Sequence, residues 1–570
     1  MKKNDYITAI IENIGANGEG IFHFDGATCF VPFVLIGEKI KAKVLKVKGS
    51  IAFCKVIEII EPSNSRVMPK CPAFTKCGGC NIQHADYKTQ LDIKRETVSN
   101  CLKKIARIDY LVGKVVPSEK EYGYRNKLQL PIRLEKGVVK LGFFREGSHD
   151  IIEIDDCPLH PDWSKTIISC VKEFIKENDI SCYDENTKKG LLKHLVVREV
   201  GGSLLITLVA SSVKINAINR LIDKLLLYFN DFSLIINENP KHTNVIFGDK
   251  FVTVYGSGKI SVSEFGVSYE IGAESFMQVN NGQKKNLYEK VLSLCELDDN
   301  TVVIDGYSGA GVLTAILAKN AKKAYGVEII QEAVDSANNL AKTNGLEDKM
   351  ISYSGDCAEI LPSLIEKCKS EGQKTVLVLD PPRKGVDEKI INQILISKPD
   401  KIVYVSCSPQ SLARDLGLIL GTLKRENNAI INLYPDVLNY DITYLTPYDM
   451  FPQCKHVETL VCLSKKTEKH INIDVEFSEG EGQVSLKKLQ EELNEQKPKK
   501  KTMYKDIQAY IEEKYGFKVH TAYIAEVKRD LDLPMYDAPN AVEELKRPRS
   551  HPTTEMVEAI KDALKYFAII

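Results

Sequence analysis

At 570 residues the chain is long enough for three or four domains, each burying its own core. Its 77 basic side chains are matched by 77 acidic ones, which excludes a whole-molecule pull toward nucleic acid and leaves such binding to local patches. The opening MKKNDYITAI lacks the apolar core of a secretion signal, and no apolar run approaches bilayer-spanning length, so a cytoplasmic protein with no membrane partner is expected. In that compartment the 15 cysteines are buried thiols, metal ligands or a nucleophile rather than disulfides. Cys170, Cys182, Cys295 and Cys462 sit among apolar neighbours and read as core.

Residues 1–61 carry short Val/Ile-rich segments between glycine turns (Gly15, Gly18, Gly20, Gly26), the pattern of a small β-barrel. Within it, Lys39, Lys41, Lys43, Lys46 and Lys48 alternate with apolar residues, with one slip of register at Leu45. A strand so patterned buries one face and presents a lysine row on the other. That row suits RNA phosphates; on this feature alone the plainer reading, an edge strand shielded from aggregation by lysines, is preferred. Residues 62–267 open with a cysteine cluster, continue through an amphipathic helix near 88–106, and then alternate strands such as Ser203-Leu-Leu-Ile-Thr-Leu-Val, reading as a mixed domain rich in antiparallel strand.

From 268 to 466 the rhythm changes to apolar strands separated by helical segments, the signature of a doubly wound parallel sheet. Val302-Val-Ile-Asp305-Gly-Tyr307-Ser-Gly309-Ala-Gly311 is a buried strand running into a glycine-rich turn and a helix, where backbone amides can approach a ligand. A second strand ends in Glu328, an acid about twenty residues beyond the turn, where such folds hold a ribose hydroxyl pair. Two further strands end in Asp380-Pro381-Pro382-Arg383-Lys384-Gly385 and Cys407-Ser408-Pro409. On this reading Asp305, Glu328, Asp356, Asp380 and Cys407 all meet at one crevice, which makes an inert core thiol a poor account of Cys407. Residues 467–502 are polar and read as a linker, and 503–570 as a small helical module with two or three helices.

CPAFTKCGGC, YGYRNKLQLPI, SFMQVNNGQ, DGYSGAGVL, DPPRKG, YVSCSP and FPQCKHVETL follow one another in this order. In these stretches the chain resembles the RNA uracil-5-methyltransferase family, in its branch with an amino-terminal TRAM domain and an iron-sulfur cluster, over about residues 1–466. The resemblance implies an α/β fold: a Rossmann-like class I methyltransferase domain, an OB-like TRAM barrel, and a mixed α+β iron-sulfur domain. It implies S-adenosylmethionine contacts at Gln278, Tyr307, Glu328 and Asp380, a nucleophile at Cys407 and a base at Glu458. Asp305, Gly309, Gly311 and Asp356 join the expected cofactor set from the strand-end reading. The implied partner is RNA, 23S ribosomal RNA first and a transfer-RNA loop uridine second, acted on by a monomer with no DNA.

Uracil carbon 5 is too weak a nucleophile to take a methyl group unaided. Thiolate addition at carbon 6 makes an enolate whose carbon 5 can attack a sulfonium methyl, and a base must then remove the carbon 5 proton so that sulfur can leave. A helix start just after Cys407 is expected to favour the thiolate. His456 stays open between an orienting partner and a packed strand residue, and Phe276 is a candidate to help hold the base. Cys71-x5-Cys77-x2-Cys80 supplies three thiolates on one loop; the resemblance adds Cys157 as the fourth. Four thiolates suit a [4Fe-4S] cluster or structural zinc equally by spacing, and the resemblance favours iron-sulfur. A catalytically idle RNA-binding factor is disfavoured by the intact Cys407, Glu458, Asp380 and glycine turn. An amino-group methyltransferase is disfavoured by Arg383, where an aromatic follows the prolines in that class.

Overall fold

The structure is a computed structural model that describes residues 1–135, 137–185, 187–426, 429–432, 440–466, 504–530 and 552–566. The segment read as a linker, 467–502, lies outside the described residues. The chain divides into two compact units, Met1–Glu468 and Lys469–Ile570.

The first unit begins with a six-stranded sheet in which Lys39–Lys48 pairs with Tyr6–Ile10 on one side and Ile51–Glu61 on the other. Ile40, Ala42 and Val44 are buried beneath it while Lys41, Lys46 and Lys48 are exposed. The slip at Leu45 is a bulge: the ladder to Ile51–Glu61 jumps from Val44 to Lys46, leaving Leu45 unpaired and outward. Residues Lys39–Lys43 have partners on both sides, so edge protection fails as an account of that half of the lysine row.

A seven-stranded sheet follows, in spatial order Lys250–Tyr255, Phe232–Glu238, Ser203–Ala210, Leu192–Val200, Lys127–Glu135, Val138–Phe144 and Ile151–Glu153. Only the Ser203–Ala210 and Phe232–Glu238 pair is parallel. Helices Trp163–Glu177 and Ile218–Leu226 bury Ile167, Val171, Phe174, Leu221 and Leu225 in the same core as Leu130, Leu195, Leu208 and Leu234. The helix expected near 88–106 is Tyr87–Cys101, extended by a π-helical turn Leu102–Ala106 and ended by Arg107 in the left-handed region. Its apolar residues Val98, Cys101, Leu102 and Ala106 pack into the core of the parallel sheet, not that of the antiparallel one that follows it in sequence.

The second seven-stranded sheet runs Met350–Ser354, Lys323–Glu328, Thr301–Gly306, Lys374–Leu379, Lys401–Ser406, Glu458–Lys465 and Tyr440–Tyr448. The first five strands are parallel, Glu458–Lys465 runs opposite to them, and Tyr440–Tyr448, antiparallel to Glu458–Lys465, shares their direction. Thr301–Gly306 and Lys401–Ser406 are buried at every position, because helices cover both faces, and they read as apolar runs. The strand order reverses at Thr301–Gly306, so a crevice opens at the carboxyl ends of this strand and its neighbours. The α/β class expected from the sequence is the class observed.

In the second unit, helices Tyr504–Tyr515, Thr521–Asp530 and Thr554–Tyr566 close over Ile507, Ile511, Ile524, Val527, Ile560 and Leu564. Burying each such side chain contributes ~1.5–3 kcal/mol. No helix among the described residues is long and apolar enough to cross a membrane.

Candidate active site

The crevice holds a cavity of about 800 Å³ whose wall includes Gln278, Tyr307, Glu328, Asp356, Asp380, Cys407 and Glu458. Strand direction explains the meeting. Tyr307, Glu328, Asp380 and Cys407 stand at or just beyond the carboxyl ends of parallel strands. Glu458 opens a strand of opposite direction, and its neighbour Thr459 pairs with Ser406, so the next residues along, Cys407 and Glu458, face one opening from adjacent strands.

The glycine turn is built on left-handed backbone at Tyr307, Gly309 and Gly311. A Cβ on Gly311 would stand 2.7 Å from Ala337 and Met350, so the helix Val312–Ala318 packs tightly against its neighbours. Gly309 N donates to Glu328 Oε2 at 3.1 Å, and Ile329 N and Ile330 N donate to Oε1 at 2.9 and 3.0 Å, fixing that carboxylate at the mouth. Asp356 caps the helix Cys357–Ser370 by accepting from Ala358 N at 2.8 Å. Gln278 is carried on a segment pinned by Asn126, whose Nδ2 donates to the Gln278 carbonyl at 3.0 Å and whose N donates to that of Val279 at 2.9 Å.

Asp305, Gly309 and Gly311 were expected at the cofactor but do not line the cavity. Asp305 lies one layer beneath, fully buried, accepting from Thr314 Oγ1 at 2.6 Å; burial, then Asp380 and Glu328 nearby, push it up to about 7. The two glycines shape the turn from behind. Residues the sequence reading left without a role also line the wall: Ile329, Ile330, Arg383, Asp387 and Phe451. Two isoleucines directly after a strand-end acid were the signal in the sequence for an apolar ligand face, and both are exposed in the structure.

Burial pushes Glu458 up to about 8, with Asp380 adding to the rise and Arg383 opposing it. Asp380 is raised to about 6 by burial. The Cys407 thiol is pushed up to about 11 by burial first, then Glu458 and Asp380, against Arg383. This corrects the expected low thiol: the helix Pro409–Ile419 does begin just beyond it, capped by Ser408, but desolvation outweighs a helix start. His456 is driven down to about 4 by burial and by the cations around it, Arg383 foremost, so it is neutral near pH 7. It packs edge-on against Phe451 with ring centroids 6.0 Å apart. Phe276 is largely exposed at the rim. Cys407, Arg383 and His456 also border a second cavity of about 200 Å³ with Asn17, Thr97, Gln410 and Lys455.

Cys71, Cys77, Cys80 and Cys157 line one small hollow with Ala73, Phe74, Phe143 and Leu159. Burial pushes Cys157 up to about 12 and raises Cys77 as well, with the neighbouring thiols adding to both. Among the described residues no three His, Cys, Asp or Glu side chains are already drawn into ion-binding geometry. Four soft sulfurs around one apolar hollow nevertheless fit a thiolate-bound metal centre by donor chemistry. A fifth cysteine, Cys454, stands beside Cys80 and donates to the Gly79 carbonyl at 2.9 Å.

Comparison with known proteins is consistent with this geometry. An uncharacterized RNA methyltransferase of Clostridium acetobutylicum is 39% identical over 477 residues, covering 82% of this chain and 99% of that protein. One of Halalkalibacterium halodurans, similarly described, is 36% identical over 471 residues, covering 82% of this chain and 98% of its own length. The crystal structure of Pyrococcus abyssi tRNA (uracil-54, C5)-methyltransferase with S-adenosyl-L-homocysteine superposes with a TM-score of 0.62 at 27% identity, covering 80% of this chain and all of that one. The model of the tRNA (Uracil-5-)-methyltransferase family matches residues 86–466, which take in the helix Tyr87–Cys101, the parallel sheet and every wall residue of the larger cavity. The chain therefore belongs to that family of RNA methyltransferases.

Proposed function

We propose that the protein methylates carbon 5 of a uridine in RNA, with Cys407 as nucleophile and Glu458 as base. The observation that carries this reading is the thiol and the carboxyl facing one cavity whose remaining wall is suited to a methyl donor. On that wall Glu328 is aimed by three backbone amides, Ile329 and Ile330 offer an apolar face, and Asp356, Asp380 and Gln278 supply polar contacts. S-adenosylmethionine, when bound there, supplies the methyl group.

Cys407 gives up its proton to solvent, the thiolate Sγ adds to carbon 6 of the uracil, and the displaced electron pair gives the enolate. Carbon 5 then takes the methyl group. The Glu458 carboxylate accepts the carbon 5 proton, the carbon 5–carbon 6 double bond re-forms, and the carbon 6–sulfur bond breaks with the electrons returning to sulfur. Burial that lifts Glu458 to about 8 makes its carboxylate a stronger base than a solvated glutamate. Arg383, the group that opposes both rises, favours the anions of Cys407 and Glu458. The uracil must leave its stack to enter, at a cost of roughly a few kcal/mol, and exposed Phe276 at the rim offers a ring for it to stack on.

The amino-terminal sheet is read as the TRAM domain, with its exposed lysines on RNA phosphates, and the four cysteines as ligands of a [4Fe-4S] cluster. Brown, iron-containing protein after anaerobic purification is expected; colourless protein carrying zinc would replace that assignment. For the substrate, 23S ribosomal RNA is our first reading, on the resemblance to the cluster-bearing branch. The Pyrococcus abyssi enzyme, a tRNA (uracil-54, C5)-methyltransferase, supports a second, transfer RNA, because its full length aligns with four fifths of this chain. Mass-spectrometric mapping of methyluridine in both RNAs, with and without the protein, decides between them. For the chemistry, Cys407→Ala should form no covalent adduct with 5-fluorouridine RNA, and Glu458→Gln should accumulate the adduct on ordinary uridine RNA. An adduct persisting in the first variant would move the nucleophile elsewhere.

A further inference from the structure

The turn that delivers Glu458 is long and is held from outside. Nine residues, 449–457, connect the antiparallel strands Tyr440–Tyr448 and Glu458–Lys465, where a hairpin needs only two to five. Two of them, Phe451 and His456, line the larger cavity. Helix Tyr87–Cys101 grips the turn from one side. Lys94 Nζ pairs with Asp449, both side chains fully buried, and donates to the Phe451 carbonyl at 2.9 Å. Gln90 forms a two-way amide clasp with Gln453: its Oε1 accepts from Gln453 N at 3.0 Å and its Nε2 donates to Gln453 Oε1 at 2.9 Å.

The cysteine segment grips from the other side. Asn81 N and Ile82 N donate to the Gln453 carbonyl at 3.3 Å, and Gly79 accepts from Cys454 Sγ. Tyr124 Oη donates to the Pro452 carbonyl at 3.0 Å. At the centre of these bonds Gln453 holds φ +70°, a left-handed conformation that a side-chain-bearing residue keeps only where its surroundings impose it.

We propose that Gln90 is a positioning residue for Glu458, acting through this strap, and that helix Tyr87–Cys101 and the cysteine segment together set where the base stands. The inference rests on the roles proposed above for Cys407 and Glu458. The physical ground is that a buried polar grip fixes one arrangement where an apolar contact tolerates several. Gln90 is remote from the thiol and the donor wall: it lines neither cavity. Loosening the strap should therefore slow proton removal from carbon 5 and leave addition of the thiolate to carbon 6 intact.

The test uses the full chain carrying Gln90→Leu, which removes both clasp bonds, together with the Gln90 Nε2 bond to the Ala85 carbonyl, at similar volume. Trapping on 5-fluorouridine RNA, which has no carbon 5 proton to lose, should stay within about twofold of the parent. Turnover on uridine RNA should fall about 10- to 100-fold, with covalent adduct accumulating on that RNA and the metal content per chain unchanged. Loss of trapping in step with turnover, or no change in turnover, overturns the proposal. If Gln90→Leu does not yield soluble protein, Gln90→Glu keeps the acceptor for Gln453 N and should show the same split more weakly; its absence there overturns the proposal equally. Glu458→Gln is run in parallel. Adduct accumulation in it upholds the base, so a negative Gln90 result then counts against the strap alone, whereas normal turnover in Glu458→Gln removes the base and the strap's catalytic role with it.

Discussion

Glu458 and Asp380 share a cavity yet titrate apart, near 8 and near 6. Burial raises both, and Glu458 sits deeper, opening a strand whose next five residues are all buried. The sign of the consequence follows from which form acts. Proton removal needs the carboxylate, the raised pKa keeps the neutral acid dominant below about 8, and at pH 7 only about a tenth is ionised. Breakdown of the adduct should therefore quicken about tenfold per pH unit on the acid side, with a midpoint near 8. Single-turnover rates from pH 5 to 9 test this, and a flat profile would remove a titrating base. That Cys407 and Glu458 are reactive types in distinctive surroundings was legible in DPPRKG, YVSCSP and HVE. The state of the thiol was not, because desolvation depends on everything packed around a group and a helix start is only one neighbour.

Among the elements, helix Tyr87–Cys101 is the one whose role the chain order hid. Its apolar spacing announced a helix, but its buried face includes Gln90 and Lys94, residues that a periodicity argument assigns to solvent. Lys94 is affordable there only because Asp449 arrives from more than 350 positions away in sequence. Breaking that pair by Lys94→Met leaves a buried carboxylate alone and should cost about 3–5 kcal/mol, whereas the double variant Lys94→Met, Asp449→Leu should recover most of it. Urea unfolding of the single and double variants measures both; equal losses in the two would show that the pair's packing, not its charge, is what matters. The bulge at Leu45 was legible as a broken alternation. That the strand carrying it is flanked on both sides over Lys39–Lys43 was not, since pairing partners lie outside any local window.

Across the whole molecule, charge balance conceals a local asymmetry, with Lys41, Lys46 and Lys48 exposed on one strand. If they follow RNA phosphates, replacing the three by glutamine should weaken binding across sequences and flatten the slope of log affinity against log salt by roughly two. An unchanged slope would place the RNA elsewhere. Residues 469–570 form a unit of their own, and the Clostridium acetobutylicum relative is accounted for almost completely by about four fifths of this chain, so the family's fold does not call on it. By itself the amino-acid sequence determined the α/β class, the strands and turns that end in Glu328, Asp380 and Cys407, and the chemical types at the site, because each rests on short-range periodicity and on motifs a few residues long. Only the tertiary structure decided that Asp305 lies beneath the cavity, that the thiol is held protonated, and that the base hangs from a strap gripped by a distant helix. Those properties come from burial and from hydrogen bonds between segments far apart in the chain, and no local stretch of residues encodes them.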